Sequence, residues 1–114
     1  MILELQKREA APGISLIEFS GKLLMGNDSR QVEWAVNEML AAGTKKIIFD
    51  LGKLQMVDST GLGILVMCHA RLQKAGGALR IIGAQGLVEE TILMTHLDRL
   101  VPLLGTVEEA RDSF

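Results

Sequence analysis

Met56-Val57-Asp58-Ser59-Thr60-Gly61-Leu62-Gly63 is the stretch whose reading decides the fold of this chain. Before it stands Lys46-Ile47-Ile48-Phe49-Asp50-Leu51, a continuous apolar run of strand length with β-branched and aromatic residues. After it, a helical pattern runs from Ser59 to about Ala75. An acid, two hydroxyls and two glycines therefore sit where a strand hands over to a helix. Asp58 is a favourable N-cap, because its carboxylate can accept from the backbone N–H groups two or three residues on. Ser59 then falls on the first helical residue, at the positive end of the helix dipole. Gly61 and Gly63 each weaken a helix by about 1 kcal/mol relative to Ala. Two of them in the opening turns predict a close approach to the backbone there, with room around Ser59.

The run 46–51 is apolar at consecutive positions, the pattern of a parallel strand covered on both faces. Toward the N-terminus, Met1 to Arg8 reads as a first strand and Ile14 to Phe19 as a second. Ala11-Pro12-Gly13 between them is a turn signal, so the two are expected to pair as an antiparallel hairpin. Gly21 to Gly26 reads as a connection. Asn27-Asp28-Ser29 offers several N-caps, and Asp28 with Gln31 has capping-box spacing. Val32, Ala35, Val36, Met39, Leu40 and Gly43 fall on one helical face, with Gly43 ending the helix. Trp34 lies opposite that face and is expected to be exposed. It either covers neighbouring side chains or offers a contact to another protein.

Toward the C-terminus, Leu62, Ile64, Leu65, Val66, Met67, Cys68 and Ala70 make the first half of the central helix apolar nearly all round. Polar residues, His69, Arg71, Gln73 and Lys74, come later. That half is either deeply buried or partly covered by a partner. Gly76-Gly77 stops the helix, and Ala78 to Ile82 is a fourth strand. Gly86 to His96 reads as a helix with Leu87, Val88, Ile92 and, at its margin, Leu93 facing inward. Leu100 to Leu104 is a fifth short strand, which Pro102 assigns to an edge. Thr106 and Glu109 have capping-box spacing for a last helix ending near Phe114. The sum is an α/β fold: a single small domain with a mixed, mostly parallel five-stranded sheet, about four helices and right-handed crossovers.

The 114 residues are enough for one domain, taken as 1–114, and too few for two ordinary ones. Cys68 is the only cysteine, so no intramolecular disulfide forms; inside an apolar helix it reads as a small core residue. One Cys and two His argue against a structural zinc site, and no cofactor motif is present. The net charge of −2 and the lack of a basic stripe argue against nucleic-acid binding. No apolar run reaches the roughly 18 residues of a membrane span. Met1-Ile2-Leu3-Glu4-Leu5 lacks the basic start of a secretory signal, so a cytoplasmic protein is expected.

Catalysis finds little support. A G-x-S-x-G elbow would need Gly where Val57 stands. His69 lies on the same helix as Ser59, about 15 Å further along by the helical rise, and cannot serve it as a base. Gly61-x-Gly63 has no third glycine at position 66, and no P-loop motif occurs. A phosphoacceptor needs less: an exposed hydroxyl on a rigid element. On the residues themselves, Asp58 and Ser59 serve either that role or merely cap the helix.

Asp58-Ser59-Thr60-Gly61-Leu62-Gly63, preceded by Ile47-Ile48-Phe49-Asp50-Leu51, resembles the signature of the STAS domain, specifically of the bacterial anti-sigma-factor antagonists. The resemblance runs from Gly21 through that turn to Gly76-Gly77 and Leu79-Arg80-Ile81. It implies a non-enzymatic protein that binds an anti-sigma-factor serine kinase and so frees a sigma factor. It implies inactivation by phosphorylation on Ser59 and reactivation by a serine phosphatase. The partner surface would comprise Asp58, Ser59, Thr60, Gly61, Leu62 and Gly63, with Thr60 a less favoured acceptor. Where such antagonists often carry an acid after the glycine matching Gly21, this chain has Lys22-Leu23-Leu24-Met25. The alternative is a STAS scaffolding subunit, in a signalling assembly or lipid-transport complex, that is never phosphorylated. Self-association into a weak homodimer stays open.

Overall fold

The computed structural model describes residues 2–114; Met1, at the start of the expected first strand, lies outside the described residues. In chain order the elements are β1 (Glu4–Ala11), β2 (Ile14–Leu23), α1 (Asn27–Ala41), β3 (Lys46–Val57) and α2 (Ser59–Lys74). There follow β4 (Ala78–Ile82), α3 (Gly86–Met94), a 3-10 turn at Leu97–Arg99, β5 (Leu103–Leu104) and α4 (Val107–Asp112). The five strands lie side by side in the order β1-β2-β3-β4-β5. β1 pairs antiparallel with β2, and the remaining pairs are parallel. This is the expected mixed, mostly parallel α/β sheet with four α-helices.

The strand following Lys46 is apolar on consecutive residues because both of its faces are covered. Ile47, Phe49 and Leu51 enter a large core with Val32, Val36, Leu65, Cys68, Leu72, Val88 and Ile92, supplied by α1, α2 and α3. Ile48 points the other way, into a smaller cluster with Leu16, Ile82 and Ala110 of α4. Phe19 and Phe49 meet at 4.8 Å between ring centroids in the main core.

β2 and β3 are longer than the apolar runs alone suggest. β2 continues to Leu23, through half of the expected connection, and β3 continues from Leu51 to Val57. Each extension holds the other: Ser20 pairs with Lys53, Gly21 with Leu54, Lys22 with Met56 and Leu23 with Val57. Only Leu54 and Val57 of the segment 52–57 are buried. A half-polar strand of this kind is stable only where a neighbour supplies its hydrogen bonds. β5 contracts to Leu103–Leu104, since Leu100 closes the 3-10 turn and Pro102 brings no N–H. It lies at a sheet edge, as Pro102 predicts, and the Pro102 carbonyl accepts from Ile81 at 3.0 Å.

Two local expectations are corrected. The N-cap of α1 is Gly26, with no side-chain cap. Asp28 instead accepts from the Leu24 N–H at 3.3 Å, turning back onto the preceding loop. In α3 only Val88 and Ile92 are buried, while Leu87 and Leu93 are exposed. Residues 88 and 92 lie one turn apart, so 87 and 93 sit about 100° to either side of the stripe they define. The helix also stops at Met94, and His96 takes a left-handed φ of 60° just beyond it.

The central helix ends where its glycines predict. Gly76 has φ 84°; its N–H donates to the Gln73 carbonyl at 3.0 Å and that of Gly77 to the Leu72 carbonyl at 2.7 Å. This is the paired closure of a helix end that a residue in the left-handed region permits.

Candidate functional site

Ser59 is the first residue of α2, and it is exposed. Among the described residues its hydroxyl has no hydrogen-bond partner. Asp58 caps the helix as expected, accepting from the Gly61 N–H through Oδ1 at 2.7 Å. Its second oxygen does something no sequence spacing announces: Oδ2 accepts from the backbone N–H of Met25 at 3.0 Å. The Asp58 N–H in turn donates to the Leu23 carbonyl at 3.2 Å. One residue therefore ties the start of α2 to the end of β2 and to the loop before α1. Ser59 is presented from a frame held on two sides.

The two glycines have different reasons. A Cβ on Gly61 would stand 2.6 Å from the Leu23 carbonyl oxygen and 2.7 Å from Val57 Cγ2. Gly61 is buried, and what comes close to its backbone is the chain's own β2. A Cβ on Gly63 would meet nothing within 4 Å. The expected room beside Ser59 is thus present at Gly63 and absent at Gly61.

Thr60 and Gly63 are exposed, and Leu62 is half-buried, packed against the main core. Further along, Leu65, Cys68 and Leu72 form the buried face of α2, Ile64 and Met67 are partly covered, and Val66 is 38% exposed. Burial accounts for most of the apolar run, leaving Gly63, Val66 and Ala70 on the outside. Met25 reaches the same neighbourhood through its bond to Asp58 and is 70% exposed. It was not legible as a site residue, since it stands 33 positions from its partner.

The groups that hydrolysis would need are not assembled. His69 is half-buried further along α2, its Nδ1 enclosed without a partner, and His96 is exposed beyond α3. Burial pushes the Cys68 thiol up to about 12, with the Arg71 charge pulling the other way. A thiol so placed is inert, in keeping with its reading as a core residue. No cluster of three or more potential metal ligands occurs among the described residues. No helix among them is long and apolar enough to cross a membrane.

Comparison with known proteins agrees with this geometry. The family model described as STAS domain matches residues 6–110. A protein of Thermotoga neapolitana, provisionally named an anti-sigma factor antagonist, is 30% identical over 95 residues, covering 77% of this chain and 84% of its own. A crystal structure of a similarly named Thermotoga maritima protein superposes with a TM-score of 0.87 at 24% identity, covering 96% of this chain and 92% of that one. The phosphorylated form of the Bacillus cell fate determinant SpoIIAA shares the fold, with a TM-score of 0.73 at 19% identity, covering 96% and 98% of the two chains. On the extent of the family match and the identity to such relatives, this chain belongs to the STAS domain family, among its anti-sigma factor antagonists.

Proposed function

We propose that this protein is an antagonist that binds an anti-sigma-factor serine kinase through the start of α2 and releases it when Ser59 is phosphorylated. The carrying observation is the exposed Ser59 hydroxyl on the first residue of a helix whose cap, Asp58, is locked to two other segments. A SpoIIAA structure in phosphorylated form, on the same fold, supports the reading. The protein acts as a binding module and brings no catalytic group of its own. The kinase supplies the base, and the Ser59 oxygen takes the γ-phosphoryl group of ATP with ADP leaving. A separate phosphatase returns the hydroxyl. Such a role is a cytoplasmic one.

Phosphate adds about −1.5 to −2 charge at pH 7 beside the carboxylate of Asp58. The N-terminus of α2 accommodates that charge, so the fold stays intact. A partner packed over Thr60, Leu62, Gly63 and Met25 does not: burying an unmatched phosphate costs several kcal/mol. Each 1.4 kcal/mol is tenfold in affinity, so binding falls by orders of magnitude. Gly61 serves this surface indirectly, by letting α2 sit close to β2.

Calorimetric titration of the candidate kinase with wild-type, Ser59→Ala, Ser59→Asp and in-vitro phosphorylated protein tests the switch. The Ala variant should bind like wild type, the Asp variant more weakly, and the phosphorylated protein most weakly. If all four bind equally tightly, charge at Ser59 is not the switch and the scaffolding role becomes the better reading.

A further inference from the structure

The sheet has two edges, and β5 at one of them is only two residues long. The other edge, β1, offers eight residues, Glu4–Ala11, with nothing paired outside it among the described residues. A row of unpaired N–H and C=O groups is a template for another strand, and charged side chains ordinarily keep such a strand away. β1 is charged, reading Glu4-Leu5-Gln6-Lys7-Arg8-Glu9, but the order of its charges is self-complementary in one register.

We propose that two copies of this chain associate through β1, antiparallel about a two-fold axis at Gln6, to form a continuous ten-stranded sheet. The argument is geometric first. Residues directly opposed in an antiparallel pair both point their N–H and C=O toward the partner strand or both away from it. In a two-fold pairing this requires that one residue of β1 face its own copy. Centring on Lys7, Arg8 or Glu9 sets like charges against each other at the axis, which is destabilising. Centring on Leu5 leaves only Glu4, Leu5 and Gln6 with partners inside the strand, against the five residues Glu4 to Arg8 when Gln6 is the centre. Centring on Gln6 opposes Glu4 with Arg8 twice and Leu5 with Lys7 twice. The irregularity of β1 between Glu9 and Ala11 lies beyond the paired segment, where it interferes with nothing.

The faces also agree. Within the subunit Leu5 lies opposite Phe19 and Lys7 opposite Ile17, on the side covered by α1. Glu4, Gln6 and Arg8 lie on the other side, and Glu4 and Arg8 are exposed. Among the described residues neither is ion-paired within its own chain. On the α1 side, Leu5, Lys7, Gln31, Trp34 and Ala35 line a recess of about 140 Å³. Trp34 is 63% exposed at its rim. The two-fold keeps both α1 helices on one face of the extended sheet, with the two recesses flanking the axis. Lys7 of the second copy, opposite Leu5, then extends its stem toward Trp34. The proposal stands apart from the reading of Ser59, which lies at the far end of β3.

Sedimentation equilibrium from micromolar to millimolar protein tests it, with Glu4→Arg and Arg8→Glu as separate variants. Both positions are exposed, and circular dichroism checks that each variant is folded. Wild type should move from monomer to dimer, with Trp34 emission shifting to the blue and becoming protected from iodide. Each variant should self-associate at least about tenfold more weakly, since it opposes like charges twice. An equimolar mixture of the two variants should dimerise again, because positions 4 and 8 then carry opposite charges across the interface on both sides of the axis. A wild type that stays monomeric throughout overturns the proposal. So does a mixture that associates no better than either variant by itself, or variants that dimerise as wild type does.

Discussion

Asp58 Oδ2 accepts the backbone N–H of Met25 at 3.0 Å across 33 residues of sequence, while Oδ1 of the same carboxylate accepts the N–H of Gly61 at 2.7 Å. A helix cap is usually a local device. Here it also fixes where α2 begins relative to the strand end and loop beside it, and so fixes the setting of Ser59.

Asp58→Ala should therefore cost more than a cap. A lost N-cap costs about 0.5–2 kcal/mol, and a further hydrogen bond to a carboxylate adds to it, reduced here by exposure. The expected total is about 1.5–3 kcal/mol. Asp58→Asn keeps one acceptor oxygen and should lose about half as much. Urea midpoints at unchanged slope measure both, and an Ala loss near 1 kcal/mol would mean that the Met25 bond contributes nothing.

Gly61→Ala and Gly63→Ala should differ in sign. Alanine favours a helix over glycine by about 1 kcal/mol at either position. At Gly61 the new methyl meets the Leu23 carbonyl and Val57, backbone and packed core that yield little. That variant should be destabilised by about 1–3 kcal/mol. At Gly63 the methyl enters open space, and the protein should gain about 0.5–1 kcal/mol. Thermal melts of the pair decide it; equal shifts would show that the close approach at Gly61 is relieved by movement of β2.

Ser59→Asp should melt no lower than wild type. A carboxylate on the first helical residue gains about 0.3–1 kcal/mol from the helix dipole, partly offset by repulsion from Asp58. A clear drop in melting temperature would mean that the acid breaks the Asp58 frame, and binding losses of this variant would then report unfolding instead of charge.

Cys68 should resist alkylation in the native protein. Burial pushes its thiol from the ordinary 9.0 up to about 12, which lowers the thiolate fraction at pH 8 by orders of magnitude. Iodoacetamide should react at least that much more slowly than in denaturant, where burial is removed. The sign for stability follows. With the folded pKa raised, the native state holds its proton where the unfolded chain releases it. This contribution is intact below about pH 9 and is lost as the pH climbs toward about 12. Rapid alkylation at pH 8 under native conditions would show that α2 opens locally.

Where apolar residues recur at helical or strand spacing, the structure follows the sequence closely. Val32, Ala35, Val36 and Met39 are buried in α1, and Gly43 and Gly76 close their helices. Thr106 caps α4, accepting from the Glu109 N–H at 3.1 Å. Where the residues are mixed, the reading falls short. Lys53, Gln55 and Met56 give no strand period of their own, and they are strand because β2 runs beside them. Leu87 and Leu93 are apolar enough for a core and lie outside it, because Val88 and Ile92 already occupy the stripe that faces the sheet.

The sequence by itself determined the α/β class, the hairpin, the exposure of Trp34, the cap at Asp58 and the position of Ser59 on the first turn of α2. Each is set by interactions within about four residues, or by a periodicity that burial on one face imposes. Only the tertiary structure decided that Gly61 is small because β2 presses against it and that Asp58 also holds Met25. Contacts of that range follow from how strands pair and helices cross over them. Their partners stand tens of residues apart, and no local pattern records the pairing.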